Sequence, residues 1–192
     1  MAWLSGAIRP AHSATTPAAT VMFGGAVPMS STSTLHFFCG KAGAGKSTVA
    51  SALAKDLGAI LISEDVWLMR LYGDQMTVFD DYIRCSKKLK SVIGPLVVDL
   101  LRTGVPSVVL DFQANTRAGR RWFRSVFEQA AAAHVLHYVQ TPDWQCLERI
   151  AKRNLERPEG SHQLSEEDFR YVSSFFEAPD PAEGFNIKAY GG

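Results

Sequence analysis

Gly40-Lys41-Ala42-Gly43-Ala44-Gly45-Lys46-Ser47 fits the pattern G-x-x-x-x-G-K-[ST], and its setting matters as much as its letters. The apolar run Leu35-His36-Phe37-Phe38-Cys39 precedes it, and a helix-compatible run from Thr48 to Leu57 follows. A strand that feeds a glycine turn and then a helix N-terminus aims several free backbone N–H groups, with the positive end of the helix dipole, at one point. A polyphosphate is the natural occupant of such a P-loop. Gly40 opens the turn, and Gly43, Ala44 and Gly45 carry no bulk, so their N–H groups can approach phosphate oxygens closely. Lys46 can reach the β- and γ-phosphates, and the Ser47 hydroxyl suits a Mg²⁺ ligand bridging the same oxygens. Thr48 either touches the α-phosphate or caps the helix. The sequence contains no Asn-Lys-x-Asp guanine-reading motif, which disfavours a regulatory GTPase.

Strands and helices alternate outward from that loop. Val49, Leu53 and Leu57 fall at helical spacing, and Gly58 stops the first helix. Ala59 to Ile62 reads as a short buried strand ending in the polar cluster Ser63-Glu64-Asp65. A turn is expected at Tyr72-Gly73-Asp74, then a long helix carrying Ile83, Leu89, Ile93, Val97 and Leu101 on one face, bent or broken at Pro95. Val105 to Leu110 gives a strand ending at Asp111. Residues 117 to 133 read as a helix, His134 to Val139 as a strand and Pro142 to Asn154 as a helix. Ser165 and Asp168 form a capping box for the last helix, and Phe185 to Tyr190 adds an edge strand. The pattern predicts an α/β fold, a three-layer α/β/α sandwich with a mainly parallel sheet of four to five strands and a helical lid.

The 192 residues suffice for one such domain, placed at 34–192. Residues 1–33, rich in Ala, Ser, Thr, Pro and Gly, read as a disordered leader, with neither the arginines nor the apolar core of a targeting peptide. A formal net charge of +1 gives no general attraction to nucleic acid or acidic membrane, and no apolar run reaches the roughly 20 residues of a membrane span. Cys39, Cys85 and Cys146 are odd in number and lack metal-ligand spacing, which suits reduced thiols in the cytoplasm. His134 and His137, three apart on a strand, point to opposite faces, so a shared metal is not expected and core packing is. His36 has the same reading.

Two aspartates compete for the chemistry. Asp65, at a strand's carboxyl end, is assigned the general base for a substrate hydroxyl, with Glu64 as the alternative. Asp111, after Val108-Val109-Leu110, is assigned the Walker B carboxylate in the metal shell with Ser47. Arg149, Arg153 and Arg157 recur every four residues, so on a continuing helix they line one face and form a lid over the phosphates, Arg149 as a nucleotide contact. Arg117, Arg120, Arg121 and Arg124 make a second basic cluster suited to an anionic substrate, and Trp67 a candidate acceptor wall. Lys41 is expected to face solvent.

Over roughly residues 35 to 187 the chain resembles the small P-loop kinase-like ATP-binding proteins grouped near chloramphenicol phosphotransferase, zeta-type toxins and the kinase domain of polynucleotide kinase. The carrying residues are Gly40 to Thr48, Ser63-x-Asp65-x-Trp67, Val108 to Phe112, Arg149 to Gly160 and Phe176-Glu177-Ala178-Pro179. The resemblance implies five parallel strands, Asp65 as catalytic base, Arg153 as a catalytic lid residue, and an acceptor among antibiotics, sugar nucleotides and nucleic-acid ends. The expected activity is Mg·ATP-dependent transfer of the γ-phosphoryl group to a small-molecule hydroxyl. A polynucleotide 5′-kinase and an ATP-hydrolysing switch are the alternatives.

Overall fold

In the computed structural model, which describes residues 32–76, 79–158 and 163–191, strands and helices alternate along the chain. The order is β1 (Thr34–Cys39), α1 (Lys46–Leu57), β2 (Ile60–Ser63), α2 (Glu64–Tyr72), α3 (Phe79–Arg102), β3 (Ser107–Gln113), α4 (Arg117–Gln129), β4 (Ala133–Val139), α5 (Asp143–Glu156), α6 (Glu166–Ser174) and β5 (Ile187–Tyr190). The sheet runs β2-β3-β1-β4-β5, with every pair parallel. The most buried strand, β1, is central, and its carboxyl end opens directly into the P-loop.

Alternation along β1 sorts the two layers of helices. Leu35 and Phe37 face α3 and α4, where Phe37 stacks on Phe123 with centroids 4.5 Å apart. Burying one such ring contributes about 1.5–3 kcal/mol. Phe38 faces α1, packed with Ala50, Ala54 and Val109. Ala44 of the P-loop, Val139, Cys146 of α5, Ile150 and Phe169 form a smaller cluster that seats α5 and α6 beside the loop. The three cysteines are buried and free. No helix among the described residues is long and apolar enough to cross a membrane.

Several sequence expectations shift. The expected leader lies outside the described residues except for its last two, and Ser33 is buried, its hydroxyl donating to Leu101 O over 2.8 Å. The cluster after β2 opens a helix, α2, with Ser63 at its N-cap position and Glu64 and Asp65 in its first turn, where the dipole favours carboxylates. Pro95 does not break α3. It lies on the exposed side, so the carbonyl one turn back can face water. α4 ends at Gln129, short of 133, and β3 runs on to Gln113, so Asp111 is inside the strand, paired with Ser63.

The second basic cluster is largely structural. Arg120 is fully buried; its Nε and Nη2 donate to Glu183 at 2.8 and 2.7 Å, and Nη1 to Ala114 O and Glu177 O. Arg117 N donates to Glu177 Oε2, its guanidinium pairs with Asp180, and Arg124 donates to Glu183 O while covering the Phe185 ring. These bonds tie residues 177–185 to α4 and deliver β5 to the sheet edge; only Arg121 stays on the exposed face without a part in the strap. Hydrogen bonds from Arg120 hold the Glu183 carboxyl below the usual range. Arg120→Ala should therefore cost about 3–5 kcal/mol, read as a lower urea midpoint, because it leaves a carboxylate and two carbonyls unmatched. A loss under about 1 kcal/mol would contradict this account.

His134 packs against Phe127 on the α4 face, while His137 points the other way, as strand alternation requires. Sequence spacing did not reveal that His137 meets His36 on the neighbouring strand. His36 Nδ1 and His137 Nε2 lie 3.0 Å apart, and His137 Nδ1 lies 2.7 Å from Tyr190 Oη. Burial, with the charges of His36 and Lys188, pulls the His137 ring down to about 4. Between about 6.5 and 4 the unfolded chain binds the proton and the native chain does not, so this contribution is complete above 6.5 and lost as pH falls. Melting temperature should fall over that window more steeply in the natural protein than in His137→Gln; parallel profiles would rule this out.

Candidate active site

The P-loop is shaped by glycines that admit no side chain. Gly43 has φ 72°, and a Cβ there would lie 2.5 Å from Cys146 O; at Gly40 it would lie 2.6 Å from Val139 O. α5 and β4 thus press against the loop from behind and fix its curvature. Arg149 Nη1 and Thr141 Oγ1 both donate to Ala44 O at 2.9 Å. Arg149 therefore sits against the loop, beside Gly45. Lys46 Nζ folds over it, donating to Gly40 O at 2.7 Å and Lys41 O at 2.9 Å. Burial pulls the Lys46 ammonium below its usual range, against the opposing charges of Asp111 and Asp65. Ser47 and Thr48, in the first turn of α1, are exposed.

Asp111 hydrogen-bonds to the side chains of Ser47 and Ser63; burial raises its carboxyl and those bonds oppose the rise. A hydroxyl and a carboxylate meeting at the first turn of the P-loop helix form the oxygen donor set that Mg²⁺ prefers. Asp65 is half-buried on α2. Burial, then the charges of Glu64 and Asp111, push its carboxyl up to about 6, against the pull of Lys46 and Arg153. The fold thus gathers Lys46, Asp65, Asp111 and Arg153 from four elements. Arg157 does not join them: it closes α5 with φ 47°, leaves the helix face and is exposed.

Glu64, the alternative to Asp65, is engaged by partners of its own. Only 1% exposed, it accepts from Ser86 Oγ at 2.5 Å and Gln113 N at 3.3 Å, and Lys90 lies 3.4 Å away. It clamps α2 to α3 and the end of β3. Trp67 is exposed on α2. Lys41 is partly exposed and pairs with Asp143 at 2.6 Å beside an open cleft of about 360 Å³, lined also by Tyr138, Gln140, Thr141 and Phe176.

Sequence reasoning passed over Asn115, Gln113 and Tyr82. Asn115 Oδ1 accepts from Gly40 N at 2.9 Å, fixing the first peptide of the P-loop. Gln113 and Asn115 follow Asp111 at alternate positions at and just past the strand's carboxyl end, and in open α/β sheets that edge faces ligands. That was the available signal.

The sequence profile described as AAA domain matches residues 35–179. No curated protein matches the chain. Among solved structures it is similar to an inferred kinase of Chloroflexus aurantiacus, at 18% identity and TM-score 0.67, over 83% of this chain and 88% of that one. The APS kinase of Mycobacterium tuberculosis, in complex with AMPPNP and APS, aligns at 19% identity and TM-score 0.55, over 82% of this chain and 88% of that one. A gluconokinase of Sinorhizobium meliloti aligns at 20% identity and TM-score 0.53, over 82% and 81%. At these identities the likeness establishes the P-loop kinase fold.

Proposed function

The chain belongs to the AAA domain family, and we propose that it transfers the γ-phosphoryl group of Mg·ATP to a hydroxyl of a small molecule. The observation that carries this reading is Asp65: a half-buried carboxyl beside the P-loop, raised to about 6, within the fields of Lys46 and Arg153. A nucleotide that is only bound needs no such group, and a base titrating near 6 is ionised at neutral pH yet basic enough to take a proton.

The P-loop N–H groups of residues 43–48 receive the phosphates, and Lys46 exchanges its two carbonyl partners for β- and γ-oxygens. Mg²⁺, held by Ser47 and Asp111, would supply neutralisation of phosphate charge. Arg149, bound to Ala44 O, and Arg153 bring guanidinium charge to the transferring group. The aromatic walls of the cleft beside Lys41 suit a flat nucleobase. Asp65 orients the acceptor hydroxyl and takes its proton as the new O–P bond forms and the bond to the departing ADP oxygen breaks.

The test is incubation with Mg·ATP and a mixture of hydroxyl-bearing metabolites and antibiotics, with products read by mass spectrometry. A phosphorylated acceptor is expected; ATP binding without any product would overturn the reading. A nucleotide switch is the weaker alternative, since Asp65 lies in the field of Lys46. A polynucleotide kinase is disfavoured because three of the four arginines in the second cluster hold the chain's own 177–185 segment.

A further inference from the structure

The acceptor side of the site is lined by neutral donors and acceptors and by carboxylates. Gln113 Nε2 donates to the Tyr82 hydroxyl of α3 at 3.2 Å, Asn115 Nδ2 donates to Gln113 Oε1 at 3.3 Å, and Gly40 N donates to Asn115 Oδ1 at 2.9 Å. An uncharged ladder therefore runs from the P-loop to α3. Gln113 is exposed at its middle, and Tyr82 is half-buried at its far end. Burial, with the charges of Glu64, Asp65 and Asp111, pushes the Tyr82 phenol well above its usual range, so it stays a hydroxyl. Nearby cations are engaged elsewhere: Lys90 with Glu64, Arg84 with Asp81, Arg117 with Asp180 and Arg120 with Glu183.

We propose that the acceptor is an uncharged or cationic polyhydroxylated small molecule, held by Tyr82 and Gln113 beside Asp65. This rests on the kinase reading and narrows it. A hydroxyl can donate to Gln113 Oε1 or to Tyr82 Oη, and an ammonium group gains from the carboxylates. An anionic acceptor meets like charge here, since Lys46 and Arg149 are bound to P-loop carbonyls and the charge of Arg153 is shared with Asp65. Like-charge contact at partly buried sites separates the two classes by about tenfold or more.

The test offers the full chain and Mg·ATP three sets of compounds: neutral sugars and nucleosides, cationic aminoglycosides, and sugar acids with sugar phosphates. Higher kcat/KM for neutral or cationic acceptors is expected. Equal or higher kcat/KM for the anionic set would overturn this inference and leave the kinase reading standing. ATP binding with no product in any set would overturn both. With the acceptor in hand, Tyr82→Phe should raise its KM about tenfold and move the KM for ATP less than about twofold, the loss of one hydrogen bond. Gln113→Arg should admit anionic analogues. If Tyr82→Phe moves both KM values together, or neither, Tyr82 does not bind the acceptor.

Discussion

Replacing Lys46 with alanine should lower phosphoryl transfer by about 10³-fold or more, the scale seen when a preorganised donor to developing charge is removed. Lys46 Nζ sits between Gly40 O and Lys41 O and within the fields of Asp111 and Asp65, so its position is set before any nucleotide arrives. The backbone N–H groups of the P-loop should retain part of the affinity. The expected signature is a large loss in kcat with a smaller loss in ATP binding, measured by product formation and by calorimetry. Lys46→Arg should not restore the rate, because a planar fork does not replace a compact ammonium between two carbonyls. Activity within tenfold of the natural protein would sink the P-loop reading of this lysine.

Asp65→Asn should leave ATP binding intact while lowering transfer by roughly 10²–10⁴, the contribution of a positioned general base. The pH dependence gives a second measurement. Because the Asp65 carboxyl lies at about 6 in the free protein, kcat/KM should be flat above that pH and fall as pH drops through it. In Asp65→Asn that limb should be missing. If the variant retains transfer and the limb, the base is elsewhere. Asp111 is then the carboxylate to test, since Glu64 is held by Ser86, Gln113 N and Lys90.

The readable parts of the site were those whose chemistry is local in the chain. The P-loop is contiguous, so its glycines, Lys46 and Ser47 could be read from spacing alone. Asp111 was legible because an apolar run ends at a single carboxylate. Arg120 misled because its partner is remote. Arg120 is 63 residues from Glu183 in sequence, and nothing near either marks the pair. Arg157 kept the four-residue period on paper, but the backbone at that position turns left-handed and ends the helix.

By itself the sequence determined the parallel α/β architecture, the phosphate loop and the two aspartates. Periodicity, glycine placement and strand ends are properties of neighbouring residues. Only the tertiary structure decided which carboxylate lies in the field of Lys46 and which is a clamp, and that Arg120 binds Glu183. It also joined His36 to His137 and ran a neutral ladder from Gly40 to Tyr82. Each of these is a pairing across distant segments. Strand order and helix packing create such pairings, and the hydrogen bonds of a buried polar group then fix its role.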